Sequence, residues 1–316
     1  MLEYIVRRVL SGILVLFLLS TVLFFITRLV PGDVVRLQLA DAGSVSEERM
    51  AEIEAQLGLD KSAVEQYVTW IGGVVRGDFG ESLWERRPVT EILWERFPVT
   101  FELAMLSIFI AVTLGLLMGV GSAIRRGSLA DNSLRITAVL GLSVPNFFLA
   151  LLMITLMSAW FNWVAPLGYQ RPQESLSANL QQMAMPSIAL GLGVAAAIAR
   201  MTRSSMLEVL GADYIRTVRA KGAGDTTVNF RHALRNSMVP VITLIGLQFG
   251  ALLGGTVILE TIFSLPGIGS RVYRGVLERD YPIIQAAAVL YGGVFIFVNI
   301  VVDVAYGWID PRIRRS

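Results

Sequence analysis

The chain offers few side chains that can carry out catalysis or hold a metal ion. It has no cysteine and a single histidine, His232, which excludes disulfides, thiolate ligands and a multi-histidine metal centre within one chain. The zinc-protease pattern HExxH, the serine-hydrolase pattern GxSxG and the phosphate-loop pattern GxxxxGKS/T are absent from the sequence. The sequence therefore predicts no catalytic residues, no metal site, no cofactor bound by this chain and no means of hydrolysing ATP.

Basic residues are concentrated in segment 201–237, whose first half, 205–221, has the pattern of an amphipathic helix. Glycines 222 and 224 end this helix, since glycine readily adopts the left-handed C-cap conformation, and Asp225 is suited to cap a second short helix from Thr226. Such a helix–turn–helix can dock into a groove on a soluble partner; the alternative is a basic loop beside anionic lipid headgroups. The apolar stripe of the first helix comprises Leu207, Leu210, Tyr214 and Val218.

The elements that position this loop are predicted to be membrane helices. Of the 316 residues, 54% are apolar and 16% charged, whereas soluble domains have roughly 45–50% apolar and about 25% charged residues. A helix needs about 20 apolar residues to cross the hydrocarbon core of a bilayer. Six charge-free runs reach that length, the fourth being diluted by Pro186: 9–27, 103–124, 136–161, 179–199, 237–259 and 281–302.

Lysines and arginines indicate how the runs are oriented. Arg7 and Arg8 precede the first run, which is too long for a signal peptide and lacks a small-residue cleavage site, so it is interpreted as an uncleaved span. The net charge of +2 reflects basic residues at the ends of apolar runs, which argues against nucleic-acid binding. The excess of positive charge in alternate loops places both termini in the cytoplasm. The cytoplasmic set includes Arg125, Arg126, Arg135, Arg200, Arg203, Arg216, Arg219, Lys221, Arg231 and Arg235, against Arg171, Arg271, Arg274 and Arg279 outside.

Segment 31–98 is predicted to be an external insert between the first two spans. Helical periodicity and capping residues favour two short helices in it, at 46–57 and 63–75. The predicted organisation is a first span within 1–30, the external insert at 31–98 and a five-helix core at 99–316 that contains loop 201–237.

Few acidic residues accompany the spans. Glu102, Glu260 and Asp303 lie at span ends and are interpreted as interface residues that face water. Proton- or ion-coupled transporters carry ionisable groups within the membrane, so the near absence of such groups indicates that transport would need an external energy source.

Short motifs follow one another along nearly the whole chain. The loop reads DYIRTVRAKG at 213–222, then RHALRN at 231–236 and VP at 239–240. Other motifs are YIVRR at 4–8, VPGD at 30–33, QLGLD at 56–60, GDFG at 77–80, FSLPGIG at 263–269, RDYP at 279–282 and DPRIR at 310–314. In this order they resemble the binding-protein-dependent ABC permeases of the dipeptide/oligopeptide/nickel group, specifically the first, B-type, permease subunit. Residues 216–218 read RTV where the general ABC loop has Glu-Ala-Ala, a departure typical of the subgroup.

The resemblance implies an all-α integral membrane protein with six transmembrane helices and the type I ABC importer permease fold. Its implied partners are a second homologous permease, one or two cytoplasmic ATPases that bind ATP and magnesium, an external substrate-binding protein and the lipid bilayer. Contact with the ATPases is implied for Asp213, Tyr214, Arg216, Thr217, Arg219, Ala220, Lys221, Gly222, Ala223, His232, Arg235 and Asn236. An outer gate or binding-protein contact is implied for Phe263, Leu265, Pro266 and Gly267, although this run also fits a tight loop that returns to the membrane.

We therefore expect a multi-pass protein of a bacterial or archaeal cytoplasmic membrane that serves as a non-catalytic subunit of an importer. Peptides are the expected substrate, and nickel chelates, oligosaccharides or opines are the alternatives served by the same group. Two functions of another class remain open, a self-sufficient channel or secondary transporter and an intramembrane enzyme. The channel or transporter would give flux from this chain alone, and the enzyme would give activity from this chain alone.

Overall fold

The computed structural model describes residues 2–29, 60–166 and 168–309, and the segments so described are helical apart from turns and one isolated β-bridge between Glu81 and Pro88. A π-helical segment, Thr227–Leu234, runs directly into α8. The α-helices are α1 (Leu2–Leu29), α2 (Ala63–Val75), α3 (Val89–Ile124), α4 (Leu129–Ser143), α5 (Asn146–Phe161), α6 (Leu176–Leu210), α7 (Asp213–Ala220), α8 (Arg235–Ile262), α9 (Ile268–Glu278) and α10 (Tyr281–Ile309).

Five helical stretches are long and apolar enough to cross a membrane, and they confirm five of the six predicted runs: Val6–Leu29, Val89–Ile124, Leu176–Leu210, Thr227–Ile262 and Tyr281–Val304.

The third predicted run, 136–161, is not one straight helix. It is divided between α4 and α5, which are bent by 102° relative to each other, so the pair forms either a broken sixth span or a re-entrant loop. The cause is Pro145, since a proline disfavours the helical conformation of the residue before it, and Val144 is extended, with ψ 121°. Helix α5 resumes at Asn146, immediately after the proline.

One compact unit comprises residues 99–265 together with the C-terminal part of α10. Helix α6 lies at the centre of this unit and packs against α4, α5 and α8. Of the 18-residue stretch that makes α6 a candidate span, 72% is buried. Helix α3 approaches α6 closely at two glycines, because a Cβ atom at Gly115 would lie 2.7 Å from the side chain of Ile198 and one at Gly119 would lie 2.6 Å from that of Thr202. Small residues at such crossings allow membrane helices to pack without a hydrophobic driving force between them.

The second unit comprises the described parts of Leu2–Pro98 together with Pro266–Ile296. Val89, Ile92, Ile268 and Ile283 form its buried apolar core, which joins the start of α3 to α9 and α10.

Helix α2 begins and ends where the sequence pattern predicts. Its N-terminus carries a capping box, in which Ser62 accepts from the Glu65 amide and the Glu65 carboxylate accepts from the Ser62 amide. The hydrogen bonds from Ser62 hold the pKa of Glu65 below its usual value. Tyr67, on the next turn, hydrogen-bonds the hydroxyl of Thr21 in α1 at 2.7 Å. The other helix predicted in the insert, 46–57, lies outside the described residues.

Candidate functional site

The amphipathic segment 205–221 forms two helices in place of the predicted one. Helix α6 continues through Leu210, Gly211 ends it, and Ala212 is extended with ψ 146° before α7 starts. This break changes which residue of α7 faces the protein: Ile215 is 1% exposed, whereas Tyr214 of the predicted apolar stripe is 41% exposed. The stripe was derived for a continuous helix and is therefore wrong at Tyr214.

The predicted glycine turn follows α7. Gly222 has φ +86°, a left-handed conformation that side chains other than glycine rarely adopt. The Ala223 amide donates to the Val218 carbonyl at 3.3 Å, and the Gly222 amide donates to the Arg219 carbonyl at 2.9 Å. These two hydrogen bonds make a Schellman motif, which fixes the direction in which the chain leaves α7.

The chain returns to the membrane through the π-helical segment Thr227–Leu234. The predicted second helix is thus present, but it is π-helical over most of its length and continuous with α8. Val228 and Ala233 are buried, and Ala233 lies in a cluster with Ala123 and Met206. Local π-helix occurs frequently at functional sites. The turn is therefore attached to the ends of α3, α6 and α8 by buried apolar contacts.

Ten of the twelve predicted ATPase-contact residues are exposed, and we call the set of twelve the coupling face. Two of its arginines have only long, exposed ion pairs, Arg216 with Asp213 at 3.5 Å and Arg219 with Asp225 at 3.7 Å. Asn236 donates a hydrogen bond to the Tyr214 hydroxyl at 2.8 Å, which connects α8 to α7. Exposed members are Asp213, Tyr214, Arg216, Thr217, Arg219, Ala220, Lys221, Gly222, Arg235 and Asn236, whereas Ala223 and His232 are half-buried.

A buried ion pair that the sequence analysis missed lies in the same unit. Asp131 in α4 is 1% exposed and accepts two hydrogen bonds of 2.9 Å from the guanidinium of Arg203 in α6. The Ser122 hydroxyl and the Gly127 amide donate to the same carboxylate. In the sequence, Arg203 contributes only one positive charge to the predicted orientation of the spans. It ties the end of α3 and the start of α4 to the part of α6 that leads into the coupling face.

The residues predicted for an outer gate differ in exposure. Pro266 is exposed and Phe263 is half-buried, whereas Leu265 is 4% exposed and Gly267 is buried. Ser264 has φ +53°, so the chain turns tightly there. Two of the four residues, Phe263 and Pro266, thus offer surface to another molecule.

A second charged cluster missed by the sequence analysis surrounds Arg271 of α9, which is 2% exposed. Its guanidinium makes ion pairs with Glu85 at 2.7 Å, Glu278 at 3.3 Å and Asp280 at 2.5 Å. The Ser82 hydroxyl donates to the Asp280 carboxylate at 2.6 Å. The cluster therefore fastens the described end of the insert to α9.

The three acidic residues assigned to span ends differ in environment, and Asp303 is half-buried. Glu260 is 0% exposed and accepts a 2.8 Å hydrogen bond from Thr100, so the expectation that it faces water is wrong. Glu102 accepts a 2.7 Å hydrogen bond from Tyr169, and burial together with this hydrogen bond raises the pKa of Tyr169. Among the described residues, no group of three or more His, Cys, Asp or Glu side chains is arranged to hold a metal ion.

Known protein families match almost the whole chain. The family described as the inner membrane component of binding-protein-dependent transport systems matches residues 111–315, and the family of the N-terminal part of such components matches residues 1–104.

Individual relatives agree with these matches. The chain is 39% identical over 311 residues to the "Probable peptide ABC transporter permease protein y4tP" of Sinorhizobium fredii, covering 98% of this chain and 99% of that one. It is 40% identical over 315 residues to the "Glutathione transport system permease protein GsiC" of Escherichia coli K12, covering 99% of each. Among solved structures, a chain of the inward-facing MetNI methionine ABC transporter matches with a TM-score of 0.56 at 19% identity, covering 69% of this chain and 96% of that chain.

The fold is that of the membrane-spanning subunits of type I ABC importers, and the family matches place the chain among such subunits. Within that class, the chain belongs to the binding-protein-dependent importer permeases of the dipeptide/oligopeptide group. Membership implies a membrane, ATPase subunits and a substrate-binding protein.

Proposed function

We propose that this chain is the first, B-type, permease subunit of a peptide importer and that its coupling face docks on a cytoplasmic ATPase. The observation that carries the proposal is the coupling face itself. Helix α7 presents Arg216, Arg219 and Lys221 to solvent and is held from below by the buried side chain of Ile215. Exposed basic groups on a rigidly anchored short helix suit a groove on a soluble partner, since little conformational freedom is lost on docking.

Energy for transport comes from the partner subunits in this proposal. Two ATPases, identical or different, bind ATP and magnesium, and this chain supplies no catalytic residue. Closure of the ATPase pair moves α7, and the Schellman turn at Gly222 passes the movement to the π-helical segment and α8. A second homologous permease completes the path for the substrate.

On the outer side, an external binding protein delivers the substrate to the insert 31–98 and to the exposed residues Phe263 and Pro266. Both termini lie in the cytoplasm, as the excess of positive charge in alternate loops requires. Peptides are the proposed substrate because two relatives that match the whole chain are named for peptide and glutathione transport.

The test is reconstitution of the complete complex. The tagged chain is expressed with its chromosomal neighbours, purified in mild detergent and placed in liposomes with the binding protein. We expect ATP-dependent uptake of labelled tripeptides and tetrapeptides that stops when ATP is replaced by a non-hydrolysable analogue. Preferential uptake of a nickel chelate, an oligosaccharide or an opine would reassign the substrate. Flux from the chain alone would overturn the importer assignment.

Orientation is tested on the same chain, which has no cysteine of its own. We expect Asp60→Cys to react with an impermeant thiol reagent from outside and Asp225→Cys to react only from inside. The reverse pattern would contradict the proposed topology.

A further inference from the structure

A groove lies at the 102° break between α4 and α5 and is also bordered by α6 and α8, all within one compact unit. Its volume is about 270 Å³. The groove lies at mid-length of α6 and of α8, both of which belong to candidate membrane spans. Its lining includes Gly141, Asn146, Leu190, Gly193, Gln248 and Gly255.

Two amide side chains in this groove have no hydrogen-bond partner among the described residues, those of Asn146 on α5 and Gln248 on α8. Both are half-exposed. A primary amide that faces hydrocarbon loses its hydrogen bonds to water and gains none in return, which is strongly unfavourable. The two amides therefore face water or a polar molecule rather than lipid.

The rest of the lining is apolar and consists of glycine, alanine, valine and leucine residues. A Cβ atom added at Gly255 would lie 3.8 Å from the Leu190 side chain, an ordinary contact, so the glycine leaves room that a methyl group would occupy. Among the residues that the structure describes, no Asp, Glu, Lys or Arg lines the groove. A charged wall would favour substrates of the opposite charge, whereas an amide both donates and accepts hydrogen bonds and so matches a peptide group whatever the neighbouring side chain is.

We propose that this groove is part of the wall of the translocation path and that Asn146 and Gln248 hydrogen-bond the backbone of a peptide in transit. The path assignment rests on the geometry of this chain, and the identity of the ligand rests on the proposed function. The alternative occupant of the groove is a polar side chain of the second permease. It would hydrogen-bond the same two amides in a closed interface between the subunits.

The reactivity of cysteines introduced into the groove distinguishes a path open to water from a closed interface with the second permease. Asn146→Cys and Gln248→Cys are labelled with a small cationic methanethiosulfonate in the assembled complex, and labelling of the wild-type complex gives the background from any thiols of the partner subunits. Phe148→Cys and Leu247→Cys are the matched controls, since these side chains are 53% and 44% exposed on the same helices but do not line the groove. We expect the two groove positions to react at least about tenfold faster than their controls in either the ATP-free or the vanadate-trapped state, because thiols in water ionise and thiols in lipid do not. Groove positions that react no faster than their controls in both states would overturn the path assignment.

A second experiment tests the ligand. Asn146→Leu and Gln248→Met keep the side-chain size and remove the amide. Each is expected to raise the KM for a tripeptide about three- to tenfold, the equivalent of one hydrogen bond. A tripeptide with N-methylated backbone amides should bind the wild-type complex more weakly than the unmodified tripeptide. The substitutions should then raise its KM by a smaller factor. An unchanged KM in both variants would overturn the backbone contact. So would substitutions that raise the KM by the same factor for the N-methylated peptide as for the unmodified tripeptide. Wild-type complex that takes up no peptide while its groove positions react would instead refute the proposed substrate and leave the path assignment standing.

Discussion

Arginines occur in two contrasting settings in this chain. Arg271 in α9 is 2% exposed and lies among three carboxylates within 3.3 Å. Arg216 in α7 has an 83% exposed side chain and one carboxylate at 3.5 Å, itself 94% exposed. Both residues count equally in a positive-charge tally of loops. Burial and the number of ion-pair partners distinguish an arginine that stabilises the fold of this chain from one that is available to bind another protein.

The difference has a thermodynamic basis. Removing one partner from a buried ion pair leaves an uncompensated charge in a region without water, which is strongly destabilising. An exposed pair is screened by solvent and contributes little to folding. Substitutions within the two settings should therefore affect different observables, the stability of the chain in one and its association with partners in the other.

The largest effect is expected for Arg271→Met. Asp280, which is 0% exposed, would lose its cation, and we expect a loss of about 3–5 kcal/mol of stability, seen as poor yield and a lower thermal unfolding midpoint in detergent. Arg274→Met, at an exposed position of the same helix, is the control and should unfold like wild type. Equal unfolding midpoints for the two variants would show that the Arg271 cluster has no structural role.

An intermediate case is Asp131→Asn, because Arg203 keeps a 23% exposed side chain and retains access to water. Loss of the charge-assisted pair should reduce stability by about 1.5–3 kcal/mol, less than at Arg271. The thermal midpoints of the two variants, measured in one detergent, decide the order. A larger loss at Asp131 would contradict the ranking by burial.

At the coupling face, Gly222→Val is expected to act on coupling more than on folding. Nothing lies within 4 Å of an added Cβ, so the change produces only backbone strain at φ +86°, about 1–2 kcal/mol. The ratio of peptide transported to ATP hydrolysed should fall while membrane insertion is retained. Gly224→Ala, where the space is also open and φ is not positive, is the control. Normal transport by Gly222→Val would disprove the role of the turn.

The smallest effect on stability is expected for Arg216→Gln combined with Arg219→Gln. Both side chains are more than half exposed, so stability should change by no more than about 0.5 kcal/mol. Affinity for the ATPase, measured by co-purification over a range of salt concentrations, should fall and become less dependent on salt. Unchanged affinity at low salt would place the docking surface elsewhere.

Local signals in the sequence predicted local structure well. The bounds of α2 followed from its apolar periodicity, and the turn at Gly222 followed from the glycine itself. Both features are determined by residues close together in the chain. The membrane spans were also predictable, because hydropathy over about 20 residues is a strong signal.

Two predicted helices were wrong because a pattern over many residues was extended across a single residue that interrupts the helix. The apolar run 136–161 predicts one continuous helix although Pro145 lies inside it, and the amphipathic pattern of 205–221 predicts one helix across Gly211. In both places backbone conformation at one or two residues determined the geometry. The positions of α5 and of the buried face of α7 depend on those residues.

The charged clusters could not be predicted from one sequence. Arg271 pairs with Glu85, and Asp131 pairs with Arg203, in each case across a long stretch of chain. No local periodicity relates such residues, and each carboxylate has many candidate cations. The amides of Asn146 and Gln248 are of the same kind, since only the fold brings α5 and α8 to one groove.

The direct continuation of the π-helical segment into α8 has a mechanical consequence. The helical stretch Thr227–Ile262 contains 36 residues and is therefore about 50 Å long, well beyond the 30 Å or so of a bilayer core. One end of the stretch lies at the coupling face proposed to dock on the ATPase, and the other lies next to the tight turn at Ser264. A tilt of about 10° around one end would displace the far end by about 9 Å. In the proposed importer, a small rotation at the coupling face would therefore be enlarged at the Ser264 end of this stretch.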